Sequence, residues 1–209
     1  MTVLQTQVAS GESSAALGTG STPPLRSGPQ GELIISEYNP RYAEVVRNRK
    51  MFQARSALRA TSLVGVAMVG LQLWNSSTNQ NLIIVKLGGN IVATSATQTG
   101  VVLAAGTGQL AAPTAQTAVD RHQNNSIGGA IGIGLPFAAG TFASAPVAFI
   151  DLLHNTAAIA TTGVDQGYFW DIEGSIIVPP QTYVAFAAVG AAAAASSNNH
   201  WIQWVEQPI

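Results

Sequence analysis

Short apolar segments, each ended by glycine, proline or polar turn residues, follow one another from residue 60 to the C-terminus. No long helical periodicity interrupts them, and this spacing is typical of all-β sandwiches and barrels. The sequence therefore predicts an all-β fold, an antiparallel β-sandwich over residues 60–209. The strand candidates are residues 63–74, 82–87, 91–93, 100–103, 147–153, 167–172, 175–178, 182–186 and 200–206.

Two further segments precede the predicted sandwich. Residues 1–31 are of low complexity and carry too little apolar surface to offset the entropy of ordering, so they predict an extended N-terminal arm. Residues 32–59 form a basic neck, which we expect to be helical or irregular after a short strand at 32–36. Asn39 and Pro40 are a plausible N-cap and first helical residue, so the neck helix would run from about residue 40 to 50.

Charge is distributed unevenly between the neck and the sandwich. Between residues 41 and 59 there are six basic residues against one acid, whereas residues 60–209 contain two basic residues and six acids. A weakly charged domain suits symmetric self-association, and a basic neck suits docking on an acidic surface or forms a solvated helix face. The candidate docking residues are Arg41, Arg47, Arg49, Lys50, Arg55 and Arg59. A net charge of −1 makes nucleic acid the weaker expectation.

Catalytic and cofactor motifs are not apparent in this sequence. There is no cysteine, and the glycine-rich run 128–134 matches neither the dinucleotide-binding nor the P-loop spacing. The three histidines, His122, His154 and His200, lack the clustering of a metal site, so we expect each at the surface or hydrogen-bonded. We therefore predict no enzyme activity, no metal and no cofactor.

A pair of nearby carboxylates and two long uncharged runs also bear on function. Asp171 and Glu173 would share one face of a regular strand, as paired catalytic carboxylates do, but their position favours solvated side chains. The uncharged runs 60–85 and 123–150 are interrupted by polar, glycine and proline residues, and so no membrane span is expected.

Aromatic residues are the remaining candidates for an interface. Trp201 and Trp204 are three positions apart, so a regular strand would direct one to the core and the other outward. Tyr42 and Phe52 are further core or interface aromatics. An exposed Trp201 or Tyr183 could instead stack against a glycan.

Several short motifs occur in a recognisable order. They are residues 31–35 (GELII), Tyr42-Ala43-Glu44 with Phe52, Leu73-Trp74-Asn75 before residues 81–84 (NLII), residues 174–180 (GSIIVPP), and the terminal residues 204–209 (WVEQPI). In this order, and over most of residues 31–209, the chain resembles a family of tailed-bacteriophage virion proteins with a jelly-roll-like β-domain.

The resemblance implies a jelly-roll-like sandwich that is a non-enzymatic, trimeric part of the virion. We expect a capsid decoration or cement protein whose arm and neck bind the major capsid protein or other virion proteins. Its location would be the virion, after assembly in the host cytoplasm. The alternative is a tail or baseplate adhesin that binds a host surface glycan, and the number of copies per particle separates the two.

Overall fold

The computed structural model describes residues 42, 45–46, 48–57, 59–93, 99–119, 121–125, 130–155, 164–189 and 197–209. All of them except Tyr42 belong to one compact unit, Glu44–Ile209, and Tyr42 belongs to the preceding unit, Met1–Ala43. The predicted arm, the strand at 32–36 and most of the neck helix lie outside the described residues. Of that helix, Val45 and Val46 are helical, and the chain turns after them towards β1, where the Arg49 amide donates to the Val46 carbonyl (2.9 Å) and the Lys50 amide to the Val45 carbonyl (3.1 Å).

Twelve strands account for the regular structure of the described residues. In chain order they are β1 (Met51–Arg55), β2 (Arg59–Ala60), β3 (Ala67–Asn75), β4 (Gln80–Ala93), β5 (Thr99–Gly106), β6 (Thr114–Ala118), β7 (Arg121–Asn124), β8 (Gly134–Thr141), β9 (Val147–Asn155), β10 (Val164–Val178), β11 (Tyr183–Ala188) and β12 (Ser197–Pro208). Among these residues no helix has the length and apolar character needed to cross a membrane.

The strands form two antiparallel sheets. Sheet I has the order β10-β4-β12-β1-β7 with β2 beside β12, and sheet II has the order β6-β8-β3-β11-β5-β9. In chain order, β1, β3, β4 and β5 pair with β12, β11, β10 and β9 respectively. These nested pairs form one long hairpin whose strands are divided between two sheets. This arrangement is a jelly roll. The predicted antiparallel sandwich of jelly-roll type is therefore confirmed, with β6, β7 and β8 inserted between its two halves.

The core lies between the inner faces of the two sheets. Along β12 the side chains of His200, Ile202, Trp204 and Glu206 are buried, while those of the residues between them are partly exposed. This alternation is the period of two that places one face of a strand against a core. The sequence alternates around Trp201 and Trp204 because one face of β12 lies against the core and the other faces outward.

The sandwich begins earlier than residue 60, inside the stretch predicted as the neck. Residues Met51–Arg55 form β1, which lies between β12 and β7 in sheet I. Phe52 and Ala54 face the core, while Arg55 on the alternate face is exposed. The high density of basic residues concealed this alternation, because one face of the strand is solvated and tolerates charge.

Gly88 and Gly89 do not end a strand, contrary to the expectation from the sequence, because β4 continues through them to Ala93. A Cβ atom on Gly88 would lie 2.7 Å from the Tyr168 carbonyl oxygen and 2.8 Å from the Trp201 ring. On Gly89 it would overlap the Asn199 carbonyl oxygen. Here glycine permits neighbouring strands and side chains to approach closely within the sheet.

The two strands expected at 167–172 and 175–178 are a single strand, β10, with a bulge. Its pairing register with β4 shifts between Asp171 and Ile176. Glu173 and Gly174 have φ values of 50° and 85°, in the left-handed region that such irregularities use. Asp171 and Glu173, on either side of the buried Ile172, are both exposed, as expected for solvated side chains.

Candidate functional site

The outer face of sheet I brings together polar and aromatic side chains from four strands. One cross-strand row consists of Phe169 (β10), Gly88 (β4), Trp201 (β12) and Arg55 (β1). The adjacent row consists of Asp171, Lys86, Gln203 and Gln53 from the same four strands. We call these two rows the Trp201 face.

Two aromatic rings dominate the first row. Phe169 is 60% exposed, and its ring centroid lies 5.8 Å from that of Trp201 at an interplanar angle of 41°. Trp201 is half-buried because its indole ring covers the position where Gly88 has no side chain. The row thus presents aromatic surface to solvent from the edge strand β10 to the central strand β12.

Polar groups surround these rings. The Arg55 Nε–H donates to the Asn199 side-chain oxygen (3.3 Å), and the Gln203 amide donates to the Gln53 side-chain oxygen (3.2 Å). The Lys86 ammonium lies 3.7 Å from the Asp171 carboxylate and 5.7 Å from the Phe169 ring centroid. Such an exposed ion pair contributes little stability, so its main effect is to neutralise the charge of Lys86 locally.

A small cleft opens beside Trp201 on this face. Its volume is about 170 Å³, and it is lined by Gln53, Ala54, Arg55 and Trp201. The lining combines an aromatic ring, a guanidinium and a side-chain amide. These groups offer apolar contact, charge and both donors and acceptors of hydrogen bonds within one small volume.

A second surface is apolar and lies along β9 and β10, which are edge strands of sheets II and I. The Trp170 indole N–H of β10 donates to the Leu152 carbonyl of β9 (2.9 Å), so both edges lie on one side of the sandwich. Val147 is 73% exposed, Phe149 46% and Ile177 53%. A cleft of about 340 Å³ opens there between β5, β10 and β11. We call this surface the β9–β10 edge.

The predicted basic docking residues do not form one cluster in the described structure. Arg49 and Lys50 are exposed in the turn before β1, and Arg55 is exposed at the opposite end of that strand. A rise of about 3.4 Å per residue separates Lys50 from Arg55 by roughly 17 Å along the chain. Arg59 lies in β2 opposite Asn198, whereas Arg41 and Arg47 lie outside the described residues.

The aromatic candidates separate into core and surface. Phe52 and Trp204 are buried and stack at 5.9 Å in the core, whereas Trp201 lies on the outer face, as the odd spacing predicted. Tyr42 is half-buried in the preceding unit. The expectation of a glycan-stacking Tyr183 is wrong, since its side chain is fully buried and its hydroxyl donates to the Ser144 carbonyl (2.6 Å).

Sequence reasoning missed a buried polar cluster around His200. The ring Nδ1 lies 2.7 Å from the Tyr168 hydroxyl, and Nε2 lies 3.0 Å from the Thr61 hydroxyl. Phe186 stacks on the ring at 4.8 Å. Complete burial lowers the pKa of His200 from 6.5 to about 3, so the ring is neutral at physiological pH. The available signal was the alternation of His200 with Ile202 and Trp204.

Other ionisable side chains are also engaged structurally. The buried Glu206 carboxylate accepts hydrogen bonds from the Gly134 amide (2.8 Å) and the Trp204 indole (3.3 Å). Burial lowers the pKa of His122, and the side chain of His154 lies outside the described part of the structure. Within the residues described, no group of three or more histidine and acidic side chains is placed to hold a metal ion.

Comparison of the chain with protein-family models, with curated proteins and with solved structures found no significant match.

Proposed function

We propose that this protein is a structural component of a bacteriophage virion, a capsid decoration or cement protein that assembles as a homotrimer on the shell. The resemblance of its ordered motifs to tailed-phage virion proteins supports the virion assignment. The observation that carries the assembly role is the exposed apolar surface of the β9–β10 edge. The jelly-roll fold is compatible with this role but does not by itself specify it.

The β9–β10 edge has the properties of a surface that another chain covers. Strand β10 is 15 residues long, and its outer edge pairs with no strand in the part of the chain that the structure describes. Long apolar edge strands promote association, and contiguous exposed apolar patches commonly mark protein interfaces. Contact between copies would remove Val147, Phe149 and Ile177 from water.

Charge favours such contact between copies. The whole chain has a net charge of −1, and residues 60–209 contain only eight charged side chains. Long-range repulsion between identical subunits is therefore small. Each copy need bind the shell only weakly, because simultaneous engagement of an N-terminal arm and a domain raises the effective affinity.

Docking on the shell would use the basic residues that precede and begin the sandwich. Arg49 and Lys50 are exposed just before β1, and Arg55 is exposed on it. Arginine pairs well with surface carboxylates in a bidentate geometry, so an acidic surface of the major capsid protein is the expected partner.

The second candidate function is a tail or baseplate adhesin, which the exposed aromatic pair Trp201 and Phe169 favours. Quantitative mass spectrometry of purified particles distinguishes the two candidates. One copy per shell subunit, or per few subunits, is the result expected for a decoration protein. A few copies to a few dozen per particle would indicate the tail, and absence from particles would refute both candidates.

A further inference from the structure

We propose that the Trp201 face binds an acidic saccharide, with a sugar ring packed on the Trp201 indole and its carboxylate paired with Arg55. This inference rests on the adhesin candidate, because Arg55 cannot pair with a capsid carboxylate and a glycan carboxylate at the same time. The side chains of the Trp201 face lie on the outer side of sheet I, so the core of the sandwich does not need them, and the proposal gives them a ligand.

The first support is the position of the Trp201 ring. A Cβ atom on Gly88 would lie 2.8 Å and 2.9 Å from two atoms of the indole, so the ring covers the backbone of β4 at this point. One side of the ring is thus held by the sheet, and its exposed side faces the cleft and solvent. A sugar ring has an apolar face of C–H groups, and a pre-positioned aromatic ring can pack against it with little loss of side-chain entropy.

The second support is the polar lining of the cleft. The Arg55 Nε–H donates to the Asn199 side-chain oxygen, and the remaining guanidinium N–H groups make no other hydrogen bond to the described residues. The Gln203–Gln53 bond still leaves the Gln203 oxygen as an acceptor and the Gln53 amide as a donor. Hydroxyl groups of a sugar both donate and accept, so they match these amides.

Charge selects an acidic ligand over a neutral one. The four lining residues include one cation, Arg55, and no acid. The nearby Asp171 carboxylate is paired with Lys86. A carboxylate can accept two parallel hydrogen bonds from a guanidinium, which is the geometry that makes such pairs strong and specific.

Size limits what the cleft can hold. Its volume of about 170 Å³ is below the range typical of sites that enclose drug-sized ligands, about 300–1,000 Å³. We therefore infer that one sugar unit, a uronic or sialic acid, enters the cleft. Flanking units would lie over the open sheet towards Phe169.

The test is binding of the full-length protein to a printed array of sialylated and uronic-acid oligosaccharides beside their neutral counterparts. The expected result is binding to acidic glycans that Trp201→Ala abolishes and Arg55→Gln weakens about tenfold or more. Ile131→Ala, an exposed apolar residue outside both the Trp201 face and the β9–β10 edge, is the matched control and should bind as the unmodified protein does. Titrations with the best glycan, followed by tryptophan fluorescence, would give the affinities.

Three outcomes would overturn the proposal. The unmodified protein binds no glycan on the array, or it binds neutral and acidic glycans equally, or the Trp201 and Arg55 variants bind as the unmodified protein does. If the two variants lose occupancy on virus particles but the unmodified protein binds no glycan, the same face docks on a virion protein instead. Circular dichroism of each variant establishes that the loss is not caused by unfolding.

Discussion

The buried His200 cluster predicts a specific dependence of stability on pH. The pKa of His200 is about 3 in the folded protein, against an ordinary value of 6.5 that applies once the chain unfolds. Between these two values the unfolded state binds a proton and the folded state does not. The free energy of unfolding therefore falls as the pH decreases from 6.5 towards 3, and this contribution is fully retained above 6.5.

The magnitude follows from the size of the pKa difference. Each pH unit below 6.5 costs about 1.4 kcal/mol, so acidification to pH 5 should remove about 2 kcal/mol through this one residue. The cause is burial, which makes a charged imidazolium unfavourable although both ring nitrogens have hydroxyl partners.

The assay is chemical denaturation at pH 7 and pH 5 of the unmodified protein and of His200→Gln. Glutamine keeps a polar side chain but does not titrate, so the variant should lose about 2 kcal/mol less on acidification. His122 and the carboxyl groups titrate in both proteins and cancel in this comparison. Equal losses in the two proteins would refute the reasoning. Should the variant not fold, NMR signals of the His200 ring in the unmodified protein must stay unchanged from pH 7 to pH 5.

Three further predictions concern packing and assembly. Gly88→Ala should destabilise the fold by roughly 1–3 kcal/mol in thermal unfolding, because its Cβ would lie 2.7 Å from a backbone oxygen, whereas Gly167→Ala, with 3.9 Å of space, should be close to neutral. Trp204→Ala should cost about 3–5 kcal/mol by denaturant titration, since the ring is completely buried, and a cost below 1 kcal/mol would contradict its place in the core. The double variant Phe149→Ser with Ile177→Ser should convert the proposed trimer to monomer in light scattering, and a trimer that persists in the variant would show that the β9–β10 edge is not the interface.

Some strands of the sandwich are predictable from the sequence and others are not. Strands such as β9, Val147–Asn155, were predictable because a run of apolar residues between turn residues has few alternatives. Strand β6, Thr114–Ala118, was missed, since all five of its residues are exposed and carry no apolar alternation. The many basic residues of the neck predict a docking segment, and they concealed the alternate buried positions of β1.

The candidate site was only partly predictable for a related reason. Arg55 was selected for its charge and Trp201 for its aromatic ring, without any indication that they are neighbours. His200 was expected at the surface or hydrogen-bonded, but nothing in the sequence connects it with Tyr168 and Thr61. Those partners are distant along the chain and meet at His200 only in the folded core.

By itself, the sequence determined the local properties of the chain: the period-two alternation, the separation of Trp201 from Trp204, and the low charge of residues 60–209. Tertiary structure decided which positions face one another. The pairing of β1 with β12 sets Arg55 opposite Trp201, and the pairing of β12 with β4 sets Trp201 opposite Gly88. Strand alternation is a property of neighbouring residues, whereas register is a long-range choice that depends on the packing of both sheets.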